Sequence, residues 1–448
     1  MRRLGLSVPR SSARALWLGR TMLAACFCGL LIGGAVRAPE ALVLSFAAAA
    51  IAGAGWLFAR SPVPLRRLGP PALAWAATLI VAGFTAAPLA SEAMRSGLYA
   101  AVGGNTLSIA PEATLIEMAK LSGLGCAFLC GVFSGCGRRT PAKLLDACIV
   151  LTASWGAWSL VLFVLSGSEA RLSAPLGSPN TAATFLGIGV VLATGRLLAL
   201  LEARIPPSRK QWAVVWVGCS LVLTFFALCL TQSRAGLVVV SLAASALLLS
   251  WPAQVPEMRR AVRWFGAAAC VLTGLILLQA GGGALMRLPG LIEDAADRRE
   301  IFGLYWRAFL DAPVFGAGLG ASTYVVKLGL TPENYGVLWN VQSAHNWALQ
   351  WLAEGGLAGA LPMACAVAAV LAGVVRGLSA RSAPVVLPLL FADVLVLGHG
   401  LTDFALQIPA VALYWSFLLG LQTAVAGRQS PPPSAGGVSS ASSGDRRS

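Results

Sequence analysis

The sequence predicts an all-α polytopic membrane protein with about twelve transmembrane helices. Of the 448 residues, 57% are hydrophobic and 11% are charged, whereas a soluble domain has roughly 25% charged residues. Apolar runs of about 20 residues, which is the length needed to cross a bilayer, recur along nearly the whole chain. The basic residues fall between these runs, as expected for a protein whose orientation follows the positive-inside rule.

Each span is predicted from an apolar run bounded by polar breaks. Together they form one membrane domain over residues 21–426. The predicted spans are 21–36, 41–59, 71–90, 113–136, 144–166, 180–201, 211–231, 235–251, 264–280, 346–375, 384–402 and 409–426.

Basic residues cluster in alternate loops of this layout. The loops within 60–67, 138–143, 204–210, 259–263 and 376–381 each hold two or three Lys or Arg residues. All five fall on the side of the basic N-terminus, which therefore predicts that this side is cytoplasmic. The net charge of +15 is explained by this topology, so no nucleic acid partner is expected.

The two ends of the chain are predicted to be cytoplasmic tails. Residues 1–20 form a basic tail before the first span. Residues 427–448 are rich in Pro, Ser and Gly, a composition typical of disorder.

A long external loop is predicted over residues 281–343, too long for a simple turn. Within it, Ile301, Leu304 and Ala308 share one face of a helix that should stop at Pro313. We expect this amphipathic helix to lie at the outer membrane surface. The acidic residues Glu293, Asp294 and Asp297 stand beside arginines and favour solvated ion pairs, so no metal site is predicted.

Arg234 lies in TQSRAG at residues 231–236, which joins two apolar runs with almost no loop. A lone guanidinium at the bilayer centre costs about 2.5 to 3.5 kcal/mol. Arg234 is therefore either an arginine that snorkels from a helix end or a binding group held at the outer face.

Arg171 opens a second polar stretch, RLSAPLGSPNTAATFLG at residues 171–187. Ser178 or Asn180 is expected to cap the helix that follows. The free N–H groups at the N-terminus of this helix would then face outward and favour the binding of phosphate. A capped helix after a Pro-Gly turn is also ordinary membrane-protein architecture. The functional interpretation of this stretch therefore depends on the other polar stretches.

His345 lies in a third stretch, SAHNWALQWLAEGGLAG at residues 343–359. With Ser343 as the N-cap, His345 falls in the first helical turn, where the helix dipole favours the neutral imidazole. Trp347 and Trp351 form an i, i+4 pair suited to a membrane interface. A lone interfacial histidine is more often structural, and the catalytic interpretation depends on the other stretches.

Together, two fixed cations and one neutral base on the same face predict transfer from a diphosphate donor. Arginines can bind the diphosphate and stabilise its departure, and a histidine can take the proton of an attacking hydroxyl. Asp403, in HGLTDFALQIPA, is expected to pair with a functional arginine or to form a structural contact between helices.

Four motifs, in order and spacing over roughly residues 165–425, resemble the O-antigen ligase and polymerase superfamily of bacterial membrane glycosyltransferases. They are SRAG, RAFLDAPVFGAGLG, HNWALQWLAEGGLAG and TDFALQIPA. The resemblance implies a GT-C type fold in the inner membrane. It also implies inverting, metal-independent and cofactor-free glycan transfer from undecaprenyl diphosphate, at the periplasmic face.

The resemblance also assigns roles to individual residues. His345 would activate the acceptor, Arg234 and Arg171 beside Asn180 would bind the diphosphate, and Arg299 and Asp403 are weaker assignments. The acceptor, a glycan or lipid A-core, is left open, since the shared motifs describe the donor side. A flippase or other transporter for a lipid-linked glycan is the alternative, and it predicts ionisable groups near the bilayer midplane.

Overall fold

The computed structural model describes residues 10–58, 65–89, 97–100, 102–135, 137, 139–167, 171–282 and 284–428. Throughout this part of the chain the regular structure is helical, with no strand. The first nine residues of the predicted N-terminal tail and residues 429–448 of the predicted C-terminal tail lie outside the described residues.

Fifteen α-helices are described, and two short 3₁₀ turns, Gly97–Tyr99 and Ala405–Gln407, lie between them. The helices are α1 (Arg10–Leu31), α2 (Ala38–Phe58), α3 (Leu65–Ala86), α4 (Pro111–Ser134), α5 (Thr140–Leu165), α6 (Pro179–Glu202), α7 (Pro207–Leu230), α8 (Arg234–Ser250), α9 (Pro256–Gly282), α10 (Ala284–Asp311), α11 (Ser322–Leu328), α12 (Tyr335–Leu338), α13 (Trp347–Arg376), α14 (Ala383–His399) and α15 (Pro409–Ala426).

The chain is a polytopic membrane protein. Each predicted span falls on one helix of the set α1 to α9 and α13 to α15. Among the described residues, nine helices are long and apolar enough to cross a membrane, namely α1 to α7, α13 and α15, and α8 and α14 are shorter apolar helices. Helix α1 begins at Arg10, well before the predicted start at residue 21, so the second half of the predicted N-terminal tail belongs to this helix.

Helix α15 lies at the centre of the bundle, and nearly all of its residues are buried. It crosses α4 at close range where two glycines face each other's helix. A Cβ at Gly420 would overlap the carbonyl of Phe128, and one at Gly131 would overlap the carbonyl of Phe417. Small residues at such a crossing let two membrane helices approach backbone to backbone, where dispersion contacts hold them together.

The amphipathic helix predicted in the long loop is confirmed as α10. Its face formed by Ile301, Leu304 and Ala308 is buried, together with Tyr305. That face packs in a cluster with residues of α11, α12 and α13. Protein therefore covers the apolar face of this part of α10.

Helix α13 is broken at Gly356, although its sequence predicts one continuous span. Gly356 has φ 55° and ψ −166°, a conformation that glycine adopts readily because it has no Cβ. The free groups at the break bond to the loop at 313–318, since Leu357 N donates to Pro313 O at 2.8 Å and Gly318 N donates to Glu354 O at 2.8 Å. Non-helical backbone in a membrane protein is tolerated where protein satisfies its polar groups in this way.

Candidate functional site

The two predicted arginine stretches meet at Asn180. Arg171 donates from Nε to the carbonyl of Thr231 at 2.9 Å and from a terminal nitrogen to Asn180 Oδ1 at 3.3 Å. The hydroxyl of Ser233 donates to the same Asn180 oxygen at 2.8 Å. Because Ser233 directly precedes Arg234, the structure brings Arg171, Asn180 and the start of α8 together.

The N-termini of α6 and α8 both lie next to this contact at Asn180. Ser178 caps α6 by accepting from Thr181 N at 3.3 Å, and Ser233 caps α8 by accepting from Gly236 N at 3.2 Å. The prediction of a cap at residue 178 or 180 is confirmed for Ser178. Arg234 is the first residue of α8 and is exposed, as is Arg171. Helix N-termini beside guanidinium groups favour an anion such as a phosphate.

His345 lies just before α13 rather than in its first turn. Asn346 caps the helix by accepting from Leu349 N at 3.0 Å, so the prediction of Ser343 as the cap is wrong. His345 has φ 51°, a left-handed conformation that is uncommon for a residue with a side chain. The predicted contact of Trp347 with Trp351 is confirmed, with ring centroids 4.8 Å apart.

The imidazole of His345 packs edge-on against the ring of Phe404, with centroids 4.9 Å apart and planes at 86°. Partial burial lowers the pKa of His345 below its ordinary value, and the guanidinium of Arg298 lowers it further. A depressed pKa keeps the imidazole neutral near pH 7, which is the form that accepts a proton.

Asp403 is buried at the ends of α6 and α14. Its carboxylate accepts from the hydroxyl of Thr181 at 3.3 Å and from Ala405 N at 3.0 Å, and the hydroxyl of Thr184 lies 3.5 Å away. Among the described residues, the partners of Asp403 on another helix are therefore on α6, as in the structural interpretation, and no arginine pairs with it there. Burial raises the pKa of Asp403 to about 6 against the lowering effect of these hydrogen bonds.

A carboxylate and an amide in the first half of α13 hold the loops around His345. Glu354 accepts from Gly320 N at 2.8 Å, from Ser322 N at 3.2 Å and from Gln350 Nε2 at 3.0 Å. Gln350 in turn accepts from Ala344 N at 3.2 Å, the residue before His345. These bonds explain two polar side chains in an apolar helix and fix the backbone that carries the imidazole.

Five of the six predicted site residues are linked through contacts that they or their immediate sequence neighbours make. Thr181 contacts Asp403 and lies next to Asn180, and Asp403 precedes the Phe404 ring that packs on His345. The linked residues are Arg171, Asn180, Arg234, His345 and Asp403.

Arg299, the sixth predicted residue, is exposed on α10, and its neighbour Arg298 is the residue whose charge acts on His345. The predictions missed Arg298. Helical spacing is a signal for it, because residue 298 is three and seven positions before the buried Ile301 and Tyr305.

Comparison with known families gives one match. Residues 219–364 match the family model described as O-Antigen ligase. The matched part begins within α7 and ends within α13, so it includes Arg234, Arg299 and His345 and leaves Arg171, Asn180 and Asp403 outside. No curated protein matches the chain.

Proposed function

We propose that the chain transfers a glycan from undecaprenyl diphosphate to an acceptor hydroxyl. The O-antigen ligase domain matched at residues 219–364 supports this proposal and the place of the chain in the O-antigen ligase and polymerase superfamily. The reaction is inverting and metal-independent. It takes place at the periplasmic face of the bacterial inner membrane, with both termini of the chain in the cytoplasm. The acceptor is a growing surface polysaccharide or lipid A-core.

The site residues have defined roles in this reaction. His345 takes the proton of the acceptor hydroxyl, whose oxygen attacks the anomeric carbon of the donor sugar from the face opposite the diphosphate. The bond from that carbon to the diphosphate breaks, and the diphosphate leaves with the electron pair. Arg171 and Arg234 bind the departing anion, Asn180 orients Arg171, and Arg299 and Asp403 contribute to substrate binding.

The observation that carries the proposal is the arrangement of base and cations around one helix end. Arg171 and Ser233, the residue before Arg234, both donate to Asn180 at the start of α6. Thr181, the next residue, contacts Asp403, which precedes the Phe404 ring that packs on His345. A neutral base and two guanidinium groups so connected suit transfer between a hydroxyl and a diphosphate.

The arrangement also favours an enzyme over a transporter of lipid-linked glycan. A transporter is expected to hold its ionisable substrate groups near the bilayer midplane on broken helices. Here Arg234 is the first residue of α8, His345 precedes α13, and Arg171 precedes α6. The backbone at the break in α13, at Gly356, bonds to the loop at 313–318, and Glu354 beside it is buried and bonded to Gly320 N, Ser322 N and Gln350.

Transfer by the purified protein, with undecaprenyl-diphosphate-linked glycan as donor, tests the proposal. We expect His345→Ala and Arg234→Ala to abolish transfer while their abundance in the membrane stays at the wild-type level. Arg37→Ala is the matched control, because Arg37 is exposed and pairs only loosely with Glu40 at 3.6 Å. Full activity of the two site variants would overturn the assignment. Movement of intact donor across a bilayer without transfer would favour the transporter.

Deletion of the gene separates the two acceptor classes. A missing ligase leaves long glycan on the lipid carrier and bare lipid A-core, whereas a missing polymerase leaves single repeat units on the carrier. Analysis of surface glycans and lipid-linked intermediates by gel and mass spectrometry distinguishes these outcomes. Normal glycans and normal intermediates would contradict both.

A further inference from the structure

The second histidine of the chain, His399, ends α14 in a fully buried position. Its Nδ1 lies 2.7 Å from the hydroxyl oxygen of Thr184 on α6. Its Nε2 is buried and has no hydrogen-bond partner among the described residues. A buried imidazole with one nitrogen bonded and one nitrogen unpaired has a preferred tautomer, which the neighbouring groups decide.

The unpaired nitrogen favours the tautomer with the proton on Nδ1. An unpaired buried N–H donor is rarer in proteins than an unpaired acceptor. Nε2 is therefore the acceptor, and Nδ1–H donates to Thr184. The tautomer is assigned from this network of contacts.

Once His399 donates to it, Thr184 still has its own hydroxyl proton to donate. Two acceptors lie near that hydroxyl, namely the carbonyl of Asn180 at 3.2 Å and the carboxylate of Asp403 at 3.5 Å. Asn180 belongs to the arginine half of the candidate site, and Asp403 precedes the Phe404 ring that packs on His345. Thr184 therefore stands between the two halves, and His399 fixes the orientation of its hydroxyl.

We propose that His399 is a positioning residue for the transfer reaction, acting through the hydroxyl of Thr184 to hold Asp403 against the first turns of α6, which include Asn180. The inference rests on the proposed function, because it assumes that both halves act on one donor and one acceptor. His399 does not touch the substrate. It keeps the base, His345, aligned with the arginines that bind the leaving group.

Two amide substitutions separate the two ring nitrogens. His399→Asn places an amide N–H near the position of Nδ1, whereas His399→Gln places it near Nε2. We expect His399→Asn to keep most of the activity and His399→Gln and His399→Ala to lower kcat about 100-fold, with little change in the KM for the donor. Equal activity of the Asn and Gln variants would overturn the proposal.

A double-mutant cycle tests the path through Thr184. If His399 acts only through this hydroxyl, Thr184→Val and His399→Ala lower kcat by the same factor, and the double variant loses no more than either single variant. Additive losses, or full activity of His399→Ala, would overturn the path. Thr224→Val is the matched control, because that buried hydroxyl donates to the carbonyl of Ser220 in its own helix.

The same assay separates failure of this inference from failure of the proposed function. Wild-type protein that transfers no glycan overturns the proposed function. Active wild type and inactive His345→Ala, together with a fully active His399→Gln, overturn only the role of His399. Should His399→Ala fail to accumulate in the membrane, the comparison of the Asn and Gln variants decides the matter, because both keep a side chain of similar polarity.

Discussion

The ring of Phe404 meets the imidazole of His345 edge to face, at a centroid distance of 4.9 Å. Phe404 follows Asp403, whose buried carboxylate is bonded to α6. The orientation of the imidazole at the start of α13 therefore depends on a residue anchored to a different helix.

Removal of this ring should loosen His345 without removing the base. We expect Phe404→Ala to lower kcat about 10- to 100-fold, because a small misplacement of a catalytic group has effects of this size, and Phe404→Leu to fall between it and wild type. Steady-state kinetics with the lipid-linked donor measure both variants. Tyr335→Ala, which removes an exposed ring on α12, should keep wild-type kinetics. A wild-type kcat for Phe404→Ala would show that the contact does not orient the base.

The rate of transfer should depend on pH through His345. Because only the neutral imidazole accepts a proton, activity falls on the acid side at the pKa of His345, which burial and Arg298 lower. Arg298→Ala removes a positive charge, so it should raise this pKa and move the acid limb of the profile to higher pH. A profile of kcat against pH for both proteins measures the shift.

Arg307→Ala is the control for the pH experiment. Arg307 lies on the same helix, and its partner is Glu300 at 4.0 Å. Its profile should match that of wild type. An acid limb that stays in place in Arg298→Ala, or moves to lower pH, would contradict the electrostatic effect of Arg298.

Gly356 should tolerate no side chain. A Cβ there would overlap the backbone of Val314, and the positive-φ conformation of Gly356, which is essentially confined to glycine, itself costs an L-residue about 1 to 3 kcal/mol. We expect Gly356→Ala to lower the thermal stability of the detergent-solubilised protein. Gly373→Ala, in the same helix with open space around it, should be neutral. Equal melting temperatures for both variants would contradict the tight contact.

Glu354→Gln should destabilise the loops around His345. All three groups bonded to this carboxylate are N–H donors. The amide NH₂ of glutamine would replace one of the accepting oxygens, so at least one of these N–H groups would lose its hydrogen bond. The expected cost is about 1 to 3 kcal/mol. Limited proteolysis should cut the segment between α10 and α13 faster in this variant than in wild type. Glu300→Gln, on the more exposed face of α10, is the control and should be cut at the wild-type rate.

The helices were predictable because apolar length is a local property. Residues 180–201 and 409–426 are read directly as spans, and they correspond to α6 and α15. The break at Gly356 was not predictable in this way, because a glycine pair inside an apolar run is common in membrane helices. What breaks the helix is a distant loop that bonds to it.

The candidate site was predictable in its residue types and less so in its local geometry. Ser343 and Asn346 both suit an N-cap, and the choice depends on a tertiary bond from Ala344 N to Gln350 that holds residue 344 outside the helix. Arg298 and Arg299 are likewise adjacent and chemically alike. Only the packing of α10 decides which of them acts on His345.

The loop at 313–318 serves both halves of α13 at once. It accepts from the first amides of one half and donates to the last carbonyls of the other. An insertion or deletion of one residue there would misalign both sets of bonds together. Natural or engineered changes in the length of the segment between α9 and α13 are therefore expected outside this stretch, and also away from Gly320 and Ser322, whose N–H groups bond to Glu354.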